Sequence, residues 1–438
     1  MYCSVLDAKD KVLEYKMSQQ DEEDKHELPP LIIAMKTSAE TNPGHSRGRA
    51  APSSLTQLIG VKPFIYDFAA LPELDSFFFP KGPILDAQKQ AAKVFGSLET
   101  WFLIGGTTCG IQAAIMATYS PGDILILRRN SHSSAISALV LAGAAPKYII
   151  VETAIRELEM EGKKPVAVFV TSPTYHGICS NLSEISRLCH SKGNIPLIVD
   201  EARGAHLGFY PHLPCSALKQ GADLVVQSTH KGLSSLTKSS MLHMSGNIID
   251  REMICRCLQT LPSTSPSCLL LASLVATPSK LSETPKSIFE EAVKLAVEAK
   301  DVIKKLPGYE ANKMLYRDHD IICELAGSRY VTLVINLGTC REHVERLVSV
   351  IKHLVISSQA FVHGGDDDDK AARRVAHGGE TITERALDYL LSVRRKGGII
   401  SGASDHQFSS VLVCKLQYVW SGASNSYASI SHMHTRTD

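Results

Sequence analysis

Lys231 ends the stretch Gln227-Ser228-Thr229-His230-Lys231, directly after the apolar run "ADLVV". A lysine at the end of a buried strand loses hydration. Desolvation favours its neutral amine, the form that attacks a carbonyl carbon. Asp200 closes another apolar run, "LIVD". A carboxylate there needs a partner, and its fixed charge can hold a proton on a heteroaromatic nitrogen. Gly105-Gly106-Thr107-Thr108 follows "TWFLI" and opens a helical stretch. Glycines let a ligand approach the backbone closely, and a helix start presents N–H groups to an anion such as a phosphate. His132, in "RRNSHSS" after "ILIL", offers an imidazole for stacking or proton transfer. His176 follows the run "VAVFV" and His206 the same run as Asp200, and both are read as structural or supporting residues. Taken singly, each feature has an ordinary reading as well. Lys231 is a turn lysine snorkelling to water, Asp200 a helix N-cap, the glycine–threonine run a capping turn and His132 a loop residue.

The combination narrows the chemistry. A phosphate seat, a stacking imidazole, a carboxylate and a carbonyl-reactive lysine on one rim are the set that pyridoxal 5'-phosphate requires. The phosphate anchors the cofactor, and the carboxylate keeps its pyridine nitrogen protonated. The lysine holds its aldehyde as an imine until an amino acid displaces it. Ser228 and His230 then project beside the phosphate.

The elements that must position these residues are legible. From residue 59 to 245, short apolar runs alternate with helical stretches: "TWFLI", "ILIL", "KYIIV", "VAVFV", "PLIVDE" and "ADLVVQ" are separated by runs such as "GIQAAIMATYS", "SAISALVLAGA", "LSEISRLCHSKG" and "SALKQG". The strand runs are continuously apolar, which suits parallel strands covered by helices on both faces. The expected fold class is α/β: a large domain with a mostly parallel sheet, plus a smaller α+β C-terminal domain. In such a sheet ligands bind at the carboxyl ends of the strands, where the candidate residues lie. Residues 1–55 read as an N-terminal arm, 56–270 as the cofactor-binding large domain and 271–358 as the start of the small domain. In the small domain, "RYVTLVINLG" reads as a strand. The glycine- and aspartate-rich stretch 359–379 reads as a linker, and 380–438 as a remnant of the C-terminal domain with a frayed tail.

The chain has 438 residues and a formal charge of +1, so it lacks the basic field of a nucleic-acid binder. It contains no apolar run of about 18 residues, so no membrane span is expected. Its 11 cysteines form no CxxC pair, so no metal site is expected and a reducing, cytoplasmic setting is the default, or a plastid if a targeting segment precedes the chain.

The stretches "DEARGAHLGF", "STHKGLSSLTKSSMLHMSGN", "PTYHGICSN", "GGTTCGIQAAIMAT", "RNSHSSAISAL" and "GPILDAQ" closely resemble the Orn/Lys/Arg decarboxylase family, in its plant-type and bacterial form. The resemblance implies the pyridoxal-phosphate fold of type I, that of aspartate aminotransferase. It implies Lys231 as the Schiff-base lysine, Asp200 as partner of the pyridine nitrogen and His132 stacked on the ring, with Ala202 on the opposite face. Gly106, Thr107, Thr108, Ser228 and His230 would hold the phosphate, and Lys231 or His230 would return a proton to Cα. The implied reaction is decarboxylation of lysine, ornithine or arginine to the amine, in a homodimer or larger assembly. Transamination, or a non-catalytic homologue that keeps the fold, are the alternatives. Lys238 stands where the family motif has glutamine, and several segments are shorter than the family pattern, including the one before "PGHSRG". These departures bear on packing and substrate access, not on the cofactor groups.

Overall fold

Runs of aliphatic and β-branched residues too short for a buried helix extend into strands. Seven of them form one sheet: β1 (Glu99–Leu103), β2 (Ile124–Leu127), β3 (Ala145–Lys147), β4 (Ala167–Thr171), β5 (Leu197–Asp200), β6 (Leu224–Gln227) and β7 (Ser240–Met244). The computed structural model describes residues 28–361, with interruptions at 43, 70, 149, 263–264, 284–286, 304–320, 322–323 and 327–330. The proposed tail, 380–438, and most of the linker lie outside the described residues.

The strand order is β1-β7-β6-β5-β4-β2-β3. β6, β5, β4, β2 and β3 run parallel. β7 is antiparallel to both β1 and β6, so β1 points the same way as the parallel set. The carboxyl ends of β1, β2, β4, β5 and β6 therefore share one rim. Successive residues bury on opposite faces, as the pleat demands. Val168, Val170, Val199 and Val225 join the core on one side, and Phe169, Ile198, Leu224 and Val226 join the core on the other. Both faces are dry, which accounts for the continuously apolar strand runs.

The helices that cover the faces begin and end on local chemistry. Asn181 accepts the N–H of Glu184 (3.3 Å) to start Leu182–Ser191, and Asp250 accepts that of Glu252 (2.9 Å) to start Arg251–Thr260. Gly96 and Gly143 close the helices Pro83–Phe95 and Ser133–Ala142 in the left-handed conformation. The apolar piece of the N-terminal arm forms Pro30–Thr41, whose Leu31 and Met35 enter the main core.

Four expectations are corrected. "KYIIV" is not a strand: pairing stops at Lys147 and a helix starts at Val151. The strand lies upstream at the sheet edge, where Pro146 withholds no needed donor. "SALKQG" forms turns rather than a helix. β7 lies outside every expected strand run, since Ser240 and His243 make it look polar. Of "RYVTLVINLG", the described strand is Val331–Thr332 alone.

Beyond the sheet, the helices Cys268–Glu283, Ser287–Ile303 and Arg341–Phe361 follow, with a short antiparallel pair, β8 (Leu325–Ala326) and β9 (Val331–Thr332). Leu295, Ala299 and Val344 form a small core of their own. The boundary read at residue 270 falls within Cys268–Glu283. The described residues up to 355 fall in one compact unit. Among the described residues no helix is long and apolar enough to cross a membrane.

The helix Gly106–Met116 packs tightly on the sheet at Gly110. A Cβ there would lie 2.5 Å from Leu103 Cδ1 and 2.8 Å from Val226 Cγ1. Gly110→Ala should therefore lower the melting temperature, because overpacking costs about 1–3 kcal/mol against a helix-propensity gain of about 1 kcal/mol. Thermal unfolding of the purified variant checks the sign.

Candidate active site

β6 ends at Gln227, and the chain makes one helical turn, Thr229–Gly232, that carries Lys231. The turn is pinned from two sides. Lys231 N–H donates to Ser228 O (3.1 Å), while His230 sends both its backbone N–H (3.2 Å) and its ring Nδ1 (2.9 Å) to Ser239 O. Gly232 admits His206 beneath the turn: a Cβ would sit 3.1 Å from His206 Nδ1. Burial, with the nearby Arg203 guanidinium, pulls the Lys231 ammonium below its usual range, against the pull of Asp200 and Glu324.

Asp200 ends β5, the neighbouring strand, and is 2% exposed. Burial pushes its carboxyl up. The Ala202 N–H and the positive charges of Lys231, His132 and Arg203 pull it back. Three residues predicted for the site thus act on one another electrostatically. Ala202 N–H donates to Asp200 Oδ1 (3.1 Å), the one protein hydrogen bond to this carboxylate among the described residues.

His132 caps the helix Ser133–Ala142 after β2, its Nδ1 accepting the Ser134 N–H (3.2 Å). This bond fixes the plane of the imidazole, which lies nearly parallel to the Tyr175 ring (20°, centroids 6.4 Å apart). At the end of β1, Gly106 takes φ +78°, and nothing lies within 4 Å of the place a Cβ would occupy. The helix it opens runs 11 residues. Thr107 on that helix accepts a hydrogen bond from the Ser228 hydroxyl (3.3 Å), so the β1 and β6 ends meet. Thr108 is exposed at the same helix start. Gly106 N–H donates to Lys238 O (2.9 Å), so Lys238 contributes its carbonyl, while its side chain is exposed.

Lys231 opens onto a cavity of about 420 Å3, whose walls include Tyr175, His206, Phe289 and the segment 332–337. A larger cavity, about 520 Å3, between Leu31, Phe77 and Cys268 contains none of the strand-end groups.

Sequence reasoning missed the cluster around Arg203. The guanidinium lies 4.1 Å from the Tyr175 ring centroid and pairs with Glu324; both partners are largely buried. Arg203 was within reach, since it follows the strand-end aspartate. Glu324 comes from β8's approach, and no local pattern ties it to the rim.

This arrangement can bind an anion at the Gly106 helix start, oppose a cationic ring nitrogen with Asp200 and present a neutral amine from Lys231. The comparisons bear on the family rather than on these residues. The model of the Orn/Lys/Arg decarboxylase major domain matches residues 32–155 and 150–326. An arginine decarboxylase of Halalkalibacterium halodurans is 33% identical over 484 aligned positions, covering 89% of this chain and 98% of that protein. An arginine decarboxylase of Bacillus subtilis is 35% identical over 303 positions, covering 65% of this chain but 61% of its own length. Among solved structures, lysine decarboxylase A from Pseudomonas aeruginosa superposes with a TM-score of 0.66 at 20% identity, over 76% of this chain and 60% of that one. At that identity the likeness speaks for the fold alone. The chain belongs to the Orn/Lys/Arg decarboxylase family, through its major domain.

Proposed function

We propose that this protein decarboxylates a basic amino acid (lysine, ornithine or arginine) with pyridoxal 5'-phosphate held at the strand-end rim. The observation that carries this reading is the mutual electrostatic coupling of Asp200 and Lys231 at adjacent strand ends. The residues fit the cofactor. Asp200 accepts only the Ala202 N–H among the described residues, which leaves its carboxylate suited to a protonated ring nitrogen. The left-handed Gly106 leaves open space at a helix start flanked by Thr107, Thr108 and Ser228, suited to a phosphate. Bound there, the cofactor would supply an aldehyde that bonds amines and a ring that takes up electrons from Cα.

The chain's own residues do the rest. Burial and Arg203 lower the Lys231 pKa, which favours the neutral amine required for carbonyl attack. Asp200 would hold a proton on the ring nitrogen by charge, in a site dry enough for that charge to act strongly. His132, its plane set by Ser134, would cover one ring face and Ala202 the other. His230, its imidazole oriented by Ser239 O and its pKa lowered by burial, would stand near the phosphate. Lys231 would be the group that returns a proton to Cα. Phe289 and Leu207 help shield this chamber from water.

Two outcomes test the reading. Lys231→Ala should abolish both the cofactor's visible absorbance change on addition and CO2 release from lysine, ornithine and arginine. Asp200→Asn should retain the fold yet lower CO2 release about 100- to 1000-fold, the scale expected for one preorganised charge. Wild-type protein that takes up the cofactor but releases keto acid instead of CO2 would refute decarboxylation.

The electrostatics also fix a sign. Removing the Arg203 charge stabilises the Lys231 ammonium and raises its pKa. Arg203→Met should therefore shift the pH profile of pyridoxal phosphate uptake, followed by absorbance, to higher pH. A shift to lower pH would contradict the assigned role.

A further inference from the structure

Glu201 follows Asp200, is 1% exposed, and is not needed for the chemistry described so far. Its Oε1 accepts the Ala217 N–H (2.8 Å) and its Oε2 lies 2.7 Å from Gln227 Nε2. From there a buried polar chain crosses the sheet. Gln227 Oε1 lies 3.1 Å from His243 Nε2, His243 Nδ1 lies 2.8 Å from Thr100 Oγ1, and Thr100 Oγ1 lies 2.8 Å from Ser97 Oγ. The members come from the β1 end, β7, β6 and the turn after β5. The flanking strands are apolar, so the sheet itself does not call for this chain.

Every member can reverse its role. With Glu201 ionised, each donor points toward it: Ser97 to Thr100, Thr100 to His243 Nδ1, His243 Nε2–H to Gln227 Oε1, and the Gln227 amide to Glu201. With Glu201 protonated, a half-turn of the Gln227 amide lets its oxygen accept from the carboxyl. Its NH2 then donates to His243 Nε2, and His243 Nδ1–H donates to Thr100. Each of the four links of the chain keeps one donor and one acceptor in either state. Burial pulls the His243 pKa down to about 3, and Phe95 packs on its ring (centroids 4.8 Å apart). The imidazole therefore stays neutral and fixed in plane, and what it can change is its tautomer.

We propose that Glu201 is a positioning residue that burial holds neutral beside Asp200 at one end of this relay, and that ionising Glu201 reverses the relay and switches the His243 tautomer. Burial pushes the Glu201 carboxyl up to about 8, consistent with a neutral group at physiological pH. The titratable groups facing it are Asp200 on its own segment, Cys179 after β4 and, through Gln227, His243; Lys231, His132 and Arg203 act on Asp200. A neutral Glu201 leaves the negative charge of the pair on Asp200. An ionised one adds a second charge next to it. This consequence for the site rests on the proposed role of Asp200; the relay does not.

The test is nitrogen NMR of the full chain labelled with 15N-histidine, without and with pyridoxal phosphate, with His243→Gln identifying the signals. In wild type the two His243 ring nitrogens should exchange protonated and unprotonated shifts as pH passes about 8, from Nδ1–H below to Nε2–H above. Glu201→Gln cannot ionise. It can still accept from Ala217 and donate to Gln227, so it should hold the Nδ1–H form throughout. A wild-type tautomer constant between about pH 6 and 10 would overturn the proposal, as would a switch that persists in Glu201→Gln. The wild-type titration decides the matter even if a variant fails to fold. Because it is read without cofactor, a switch with no cofactor uptake would sink the functional reading and leave the relay standing.

Discussion

A buried carboxylate and a half-buried amine, set on neighbouring strand ends, are the constraint on which this molecule turns. Desolvation alone drives both toward neutrality, Asp200 up and Lys231 down. Their mutual attraction opposes that drift in both, while the Arg203 charge opposes it in Asp200 and adds to it in Lys231. Arg203 helps Asp200 stay charged and pushes Lys231 toward its free amine. A single guanidinium, clipped between Tyr175 and Glu324, thus biases an acid and a base in the directions that imine chemistry with a ring cofactor demands.

The sheet exists, in this view, to hold those two groups in register. Asp200 pairs with Val226 across the β5–β6 ladder, and the turn beyond Gln227 then fixes Lys231. Dry cores on both faces make the ladder stiff, since close-packed interiors resist small displacements. The antiparallel insertion of β7 brings the β1 end to the same rim and carries His243 into the polar chain that ends at Glu201. A polar chain through an apolar sheet is tolerated because each member is hydrogen-bonded.

Much of this was legible in the sequence. Continuous apolar runs marked five of the seven strands, and the residues after them marked the rim. Lys231, Asp200, His132, Gly106, Thr107 and Ser228 all stand there. What escaped was set by long-range pairing. β7 looks like loop because its Ser240 and His243 are satisfied by partners far away in the chain. "KYIIV" has strand composition, yet the edge pairs one step upstream. Arg203 and Glu324 meet across 121 residues, and the relay from Ser97 to Glu201 spans four strands, so neither leaves a local spacing to read.

The proposed chemistry turns on one amine, Lys231. The most direct measurement is to mix the full chain with pyridoxal phosphate, reduce with borohydride and map the pyridoxyl group by peptide mass spectrometry. The account predicts a single modified peptide, labelled at Lys231. Label scattered over surface lysines, or none at Lys231, would contradict it.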